Sequence, residues 1–286
     1  MGNFMETITQ KAKAETFLAL HHASAPLVLP NCWDAGSALI LAQAGFPAIA
    51  TTSAGVAFSR GFADGHRISR AGMRAEVKRC ADAVAVPVSA DMEGGYGQTP
   101  EDVAETVRQA IAAGAIGANI EDGVYDSGTE HPYLLDSALC VERIQAGRAV
   151  ADELDIPFVI NARVDVYLIA GGERTSEMFD GAVARCNACY AAGARSVYIP
   201  GVADADLIGR LVAATDGPLN ILAGAATPPI AQLQELGVAR VSIGGSLARA
   251  CLKLVQNAAE ELRDKGTFSY TSDSFSNTEL NRRFEP

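Results

Sequence analysis

The chain has 286 residues, 49% of them hydrophobic, enough for one large barrel or two ordinary domains around a sizeable core. A net charge of −11 argues against a general nucleic-acid binder and offers no basic patch to an anionic membrane. Six cysteines are too few for a secreted disulfide framework, no basic-then-apolar leader opens the chain, and Gly45 and Pro47 interrupt its longest apolar stretch, so a cytoplasmic protein is expected.

A helix-like run at 9–21 comes first, placed to cover the bottom of a barrel. Eight rounds of short apolar run and longer amphipathic run follow. Strands are expected at 27–29, 48–51, 86–90, 117–120, 158–161, 196–199, 219–222 and 240–243. Helices are expected at 33–44, 69–84, 99–113, 136–154, 175–191 and 203–213, with a last one at 246–262. Thr99 caps its helix with Pro100 at the first position and Asp102 near the start, and Gly114 closes it. Strand–helix alternation implies right-handed crossovers and a parallel sheet, and eight rounds favour a closed (β/α)8 TIM barrel over an open doubly wound sheet. Residues 1–265 are expected to form one barrel domain. The polar tail at 266–286 is either poorly ordered or an arm on a neighbouring subunit.

Residues 89–97 read Ser-Ala-Asp-Met-Glu-Gly-Gly-Tyr-Gly. Asp91 and Glu93 stand at the end of an apolar run and are followed by three glycines. Unpaired acids in an apolar setting are strongly destabilising. A hard divalent cation such as Mg²⁺ offsets that cost, and glycines allow close approach of backbone and ligand. The other strand ends add Asn31, Trp33, Asp34, Thr51, Thr52, Ser53, Glu121, Asp122, Asn161, Arg163, Asp165 and Asn220. Several acids and one arginine converging on one face of a barrel point to a site rather than to scattered helix caps.

These residues resemble the isocitrate lyase/phosphoenolpyruvate mutase superfamily. Asp91-x-Glu93-Gly-Gly-Tyr-Gly is similar to its acidic strand-end motif, and 52–57 (Thr-Ser-Ala-Gly-Val-Ala) to its carboxylate-holding Ser-Gly-Ala segment. Glu121-Asp122 is similar to its Glu-Asp metal motif, and Ala162-Arg163 to its Ala-Arg segment. The resemblance implies Mg²⁺, with Mn²⁺ the alternative, held by Asp91, Glu93, Glu121 and Asp64, partly through water. It implies a small 2-oxo or 2-hydroxy acid chelated to that metal. The amides of Thr52, Ser53 and Ala54 would hold its carboxylate, and Arg163 would make charge-assisted bonds to it. Asp91 would contact substrate as well as metal, and Glu121, with Arg163, would take part in catalysis. It also implies a homotetramer, a dimer of dimers that exchanges the last barrel helix; here that helix, with Leu247, Cys251, Leu254 and Val255 on its apolar side, either serves that exchange or packs on its own barrel.

The chain departs from the family at the loop after the fourth strand. Residues 123–133 carry neither the lyases' Lys-Lys-Cys-Gly-His segment nor the lysine and asparagine of the mutases. Tyr125, Asp126, Glu130 and His131 are the acid/base candidates left there, each also readable as part of a polar lid. Trp33 and Asp34 either line the mouth or cap the first helix, Asn220 faces the pocket by position only, and Tyr96 is either a support to the metal loop or a packed aromatic. Cys186 and Cys189 fall mid-helix and read as buried small hydrophobes, and His21, His22 and His66 show no metal-ligand spacing. The leading expectation is C–C cleavage or decarboxylation through a metal-stabilised enolate. P–C chemistry, by a phosphonomutase or phosphonopyruvate hydrolase, is the alternative, and a carboxylate-binding barrel without turnover is the reading from another class.

Overall fold

The computed structural model describes residues 9–125, 131–170 and 175–285. The elements run α1 (Gln10–Leu20), β1 (Leu27–Leu29), β2 (Asn31–Cys32), α2 (Ala35–Gln43), β3 (Ile49–Thr51), α3 (Ser53–Ser59), α4 (Arg70–Ala83), β4 (Val88–Asp91) and α5 (Pro100–Ala112). Then come β5 (Gly117–Glu121), β6 (Gly123–Val124), β7 (Tyr133–Leu134), α6 (Ser137–Glu153), β8 (Val159–Arg163), α7 (Val166–Ile169) and α8 (Ser176–Ala191). The last are β9 (Ser196–Tyr198), α9 (Ala205–Ala214), β10 (Leu219–Leu222), α10 (Ile230–Glu235), β11 (Arg240–Ser242), α11 (Ser246–Asp264) and α12 (Asn277–Phe284).

All eight expected strands form, within two residues of their expected ends, in one parallel sheet ordered β1-β11-β10-β9-β8-β5-β4-β3-β2. The sheet's two ends are consecutive segments of the chain. Pro30, which has no N–H to give a ladder, separates β1 from β2; β1 pairs with β11 and β2 with β3. The first strand is thus split between two neighbours, and the eight-stranded (β/α)8 barrel closes through that split.

Period-two alternation decides what faces inward. On β5, Ala118 and Ile120 pack outward with the helices, and Gly117, Asn119 and Glu121 alternate with them. On β8, Ile160 and Ala162 pack outward, alternating with Val159, Asn161 and Arg163. The barrel floor is apolar: Phe17 and Ala14 of α1 pack on Leu27, Leu29, Ala48, Ala50 and Val159. The helix-like run at 9–21 therefore does cover the bottom. Thr99 and Asp102 form a reciprocal cap at the start of α5, as its sequence predicted, worth about 1 kcal/mol.

Three features were not anticipated. The segment after β3 coils into α3, because Thr52 caps it by accepting from Gly55 N. Residues on either side of 126–130 pair as the antiparallel hairpin β6–β7. The tail, expected to be unordered or to reach a neighbouring subunit, folds back on its own chain: α12 lies on α2, with Gln43 Nε2 donating to Arg283 O at 2.6 Å. Among the described residues no helix is long and apolar enough to cross a membrane.

Candidate active site

The acids meet at the carboxyl end of the barrel. Asp91 ends β4, and its N–H donates to Thr51 Oγ1 at 2.9 Å. Its Oδ2 accepts from Ser53 N–H (2.9 Å) and from Ser53 Oγ (2.8 Å), tying β4 to the first turn of α3. Two residues on, Glu93 takes a left-handed φ of 49° and its Oε1 accepts from His66 N–H at 2.8 Å. His66 itself has φ 56° and Tyr96 has φ 57°. Of the four non-glycine residues with positive φ among those described, three lie here and the fourth, Asp155, in a turn after α6. Such conformations cost roughly 1–3 kcal/mol each and persist where surrounding structure holds them, commonly at functional sites. Gly94 N–H donates to His66 Nε2 at 3.3 Å, and that nitrogen stands 3.6 Å from Glu121 Oε1.

A second chain of contacts runs from Glu121 to Tyr125, just after β6. Arg163 Nη1 pairs with Glu121 Oε2 at 2.8 Å and its Nε with Asp165 Oδ1 at 2.6 Å. Asp165 Oδ2 accepts the Tyr125 hydroxyl at 2.8 Å, and Asp165 N–H donates to Asp122 Oδ1 at 2.8 Å. Asp122 in turn pairs with Arg185 of α8 at 3.1 Å. Gly123 is required by this crowding: a Cβ there would lie 2.6 Å from Asp165 Oδ2 and 2.7 Å from Tyr125 Cε2. A cavity of about 330 Å³ opens beside the acids, lined by His66, Gln98, Tyr125, Leu135 and Arg143, a size suited to a small acid.

Burial decides the charge balance. It pushes the Glu121 carboxyl up to about 7, against the opposing pull of Arg163 and His66. Burial likewise raises Glu93, and burial with the charge of Asp91 raises Asp64. For His66, burial works downward, yet Glu121, Glu93 and Asp91 outweigh it and hold the imidazole above its usual range. Arg163 loses solvation too, but Glu121 and Asp165 hold its pKa above the ordinary value. Burial and then Asp165 raise the Tyr125 phenol, so it keeps its proton. Five carboxyl groups, Asp64, Asp91, Glu93, Glu121 and Asp165, thus face Arg163 and His66, and the buried Glu93 Oε2 makes no hydrogen bond. That unbonded oxygen and an all-oxygen donor set fit a hard divalent cation. Among the described residues no group of three or more His, Cys, Asp or Glu side chains is arranged to hold a metal directly, so water and substrate would complete most of its shell.

The structure brings Asp91, Glu93, Glu121, Arg163 and Tyr125 into this network and leaves Asp64 on its exposed rim. Other candidates have different partners. The amide cradle of Thr52, Ser53 and Ala54 is mostly committed elsewhere: Thr52 N–H bonds to Cys32 O and Ser53 N–H to Asp91. Of the three, only the Ala54 N–H, in the first turn of α3, has neither a backbone nor a side-chain acceptor among the described residues. Asp34 is a helix cap, accepting from Ser37 N, and Trp33 packs on the core beside Gly55. Asn220 is wholly buried, bonded to Ser242 Oγ, with no hydrogen bond to the acids. His131 is exposed and outside the network, and Asp126 and Glu130 lie outside the described residues. His66 was missed. Its signal is the loop at 61–66, where Gly61 and Gly65 allow a tight path, but it lies 27 residues before Glu93 and no spacing rule connects the two.

Comparison with known proteins gives the family. Residues 17–263 match the family described as Phosphoenolpyruvate phosphomutase, so the chain belongs to that family. A solved structure of a Burkholderia cenocepacia J2315 protein, provisionally assigned as a lyase/mutase, superposes with a TM-score of 0.90 at 41% identity over 97% of each chain. The 2-methylisocitrate lyase of Escherichia coli K12 is 29% identical over 250 residues, 85% of this chain and 81% of that protein. The 2,3-dimethylmalate lyase structure, described as a PEP mutase/isocitrate lyase superfamily member, has a TM-score of 0.81 at 26% identity, covering 95% of this chain and 94% of that one. The chain is an enzyme of this superfamily, whose members act on small acids as lyases, decarboxylases and phosphonomutases.

Proposed function

We propose that this enzyme uses Mg²⁺, or Mn²⁺ in its place, to act on a small 2-oxo or 2-hydroxy acid, breaking a C–C bond or removing CO₂ through an enolate. The observation that carries this reading is the buried acid cluster of Asp91, Glu93 and Glu121 set against Arg163, with Glu93 Oε2 left without a hydrogen bond. Asp91, Glu93, Glu121 and the rim acid Asp64 would hold the metal, partly through water. Bound there, it supplies a Lewis acid for the negative charge that develops on the enolate oxygen. Arg163 is locked by Glu121 and Asp165, so its remaining donor faces are pre-aimed for a substrate carboxylate. The Ala54 N–H at the start of α3 adds a donor for the same group. Tyr125 Oη, protonated and anchored on Asp165, is the lid-root group that holds a proton at the site.

Oxalate mimics the enolate of pyruvate and tests the reading. It is expected to bind only with Mg²⁺ present, by calorimetry, and Asp91→Ala is expected to abolish that binding; metal-independent oxalate affinity would refute the assignment. Incubation with 2-oxo acids, methylmalates and phosphonopyruvate, read by proton and phosphorus NMR, separates the reactions. Pyruvate release without a phosphorus change excludes P–C chemistry for that substrate. No turnover across the panel supports a binding protein instead.

The same reading extends to assembly and place. α11 buries only Ala248 and exposes Leu252, Leu254 (58%), Val255 (64%) and Leu262, an apolar stripe suited to a second subunit. A homotetramer built as a dimer of dimers across this helix accounts for it. Six free cysteines suit the reducing cytoplasm.

A further inference from the structure

Beneath the acids, the middle of the barrel is polar where such barrels are ordinarily filled by branched apolar side chains. Arg240, on β11, is wholly buried, and its Nη2 donates to Asn119 Oδ1 at 3.5 Å. Its guanidinium carbon lies 5.8 Å from the centre of the Phe17 ring, and its Nε and Nη1 have no hydrogen-bond partner. Among the described residues no carboxylate forms an ion pair with it. Burial lowers its pKa to about 10, and the countering influences are Tyr198 and then Asp91, the one carboxylate among them. A buried cation without a paired acid costs several kcal/mol, so its presence calls for a use.

Asn119 shows that use. Its Oδ1 accepts twice, from Asn161 Nδ2 at 2.7 Å and from Arg240 Nη2. Arg240 can only donate, so a flip of the Asn119 amide would set its NH₂ group against the guanidinium. Nδ2 is therefore forced toward Asp91 Oδ1, 3.5 Å away. Ser53 already holds Asp91 Oδ2 through two bonds, so Oδ1 is the oxygen available to a ligand, and Asn119 governs its direction.

We infer that Asn119, locked by Arg240 and Asn161, is a positioning residue that aims the free oxygen of Asp91 at the metal. The inference rests on the metal reading above. A cation near a cation site opposes binding by its charge alone, so removing Arg240 separates the two effects by sign.

The test is Mn²⁺ affinity, read by electron paramagnetic resonance of free Mn²⁺, together with thermal melting, for wild type, Arg240→Met and Asn119→Leu. Arg240→Met is expected to melt at the same or a higher temperature, because an apolar side chain of similar length replaces an unpaired buried charge. It is nevertheless expected to bind Mn²⁺ about 10–100-fold more weakly, as losses of supporting contacts around metal ligands do. Asn119→Leu, which removes the amide but leaves the cation, is expected to weaken Mn²⁺ by a similar factor. Unchanged or tighter binding by folded Arg240→Met overturns the lock, and unchanged binding by folded Asn119→Leu overturns the positioning role. Absence of Mn²⁺ binding in the wild-type chain overturns the metal reading and this inference together.

Discussion

His21 closes α1 at the foot of the barrel and is 2% exposed. Its Nδ1 bonds to Phe17 O at 2.8 Å, its ring meets Phe17 edge-on, and its Nε2 is buried without a partner. Burial first, and the charge of Arg240 second, push its pKa from 6.5 down to about 3. The folded pKa is below the unfolded one, so the unfolded chain takes the proton first. Stability is complete above pH 6.5 and is lost as the pH falls from there toward 3. At pH 5 the loss is 1.5 units at ~1.36 kcal/mol each, or about 2 kcal/mol. Glu121 and Asp122 act in the opposite sense: their folded pKa values are raised to about 7 and about 6, so their contribution is lost as the pH rises. A bare pH profile therefore mixes the two, and a variant is needed. His21→Gln offers an amide donor to Phe17 O but takes no proton. Urea unfolding of both proteins at pH 8 and pH 5, at constant ionic strength, gives two stability gaps. The advantage of wild type over His21→Gln is expected to shrink by about 2 kcal/mol at pH 5. A gap that stays constant between the two pH values would refute a neutral, buried His21.

Gly123→Ala is expected to push Tyr125 off Asp165, costing roughly 1–3 kcal/mol in stability by melting and lowering kcat with a smaller change in KM on whichever substrate the NMR screen identifies. Wild-type kcat in that variant would show that the Tyr125–Asp165 contact plays no part in turnover. Leu254→Asp with Val255→Asp places two charges on the exposed stripe of α11 and is expected to shift the chain to a smaller species in sedimentation, with far-UV circular dichroism unchanged. An unaltered sedimentation coefficient would remove α11 from the interface.

The strands were legible because each is a short apolar run bounded by turn chemistry, and every expected one forms close to its expected place. The acids were legible too, since Asp91, Glu93, Glu121 and Arg163 follow apolar runs at the strand ends, where barrels collect function. Local competition for hydrogen bonds was not visible. Thr52 and Ser53 have the residue types of a carboxylate cradle, yet their N–H groups go to Cys32 and Asp91. The tail has the composition of an unordered segment, but Ser276 caps α12 and Arg283 reaches Gln43 some 240 residues earlier.

The sequence by itself determined the barrel, the strand ends and the family, because periodicity and short motifs are local properties of the chain. Tertiary structure alone decided which donors remain free, that His66 turns in beside Glu93 and Glu121, and that Arg240 rises through the barrel to Asn119 beneath Asp91. Those contacts join residues 27 to 121 positions apart, and the Arg240–Asn119 contact reaches from β11 to β5, strands that are not neighbours in the sheet and that its curling into a barrel brings together. Asp91-x-Glu93 is a short local motif; the partners that Asp91 meets, Ser53 and Asn119, lie on other elements 38 and 28 residues away.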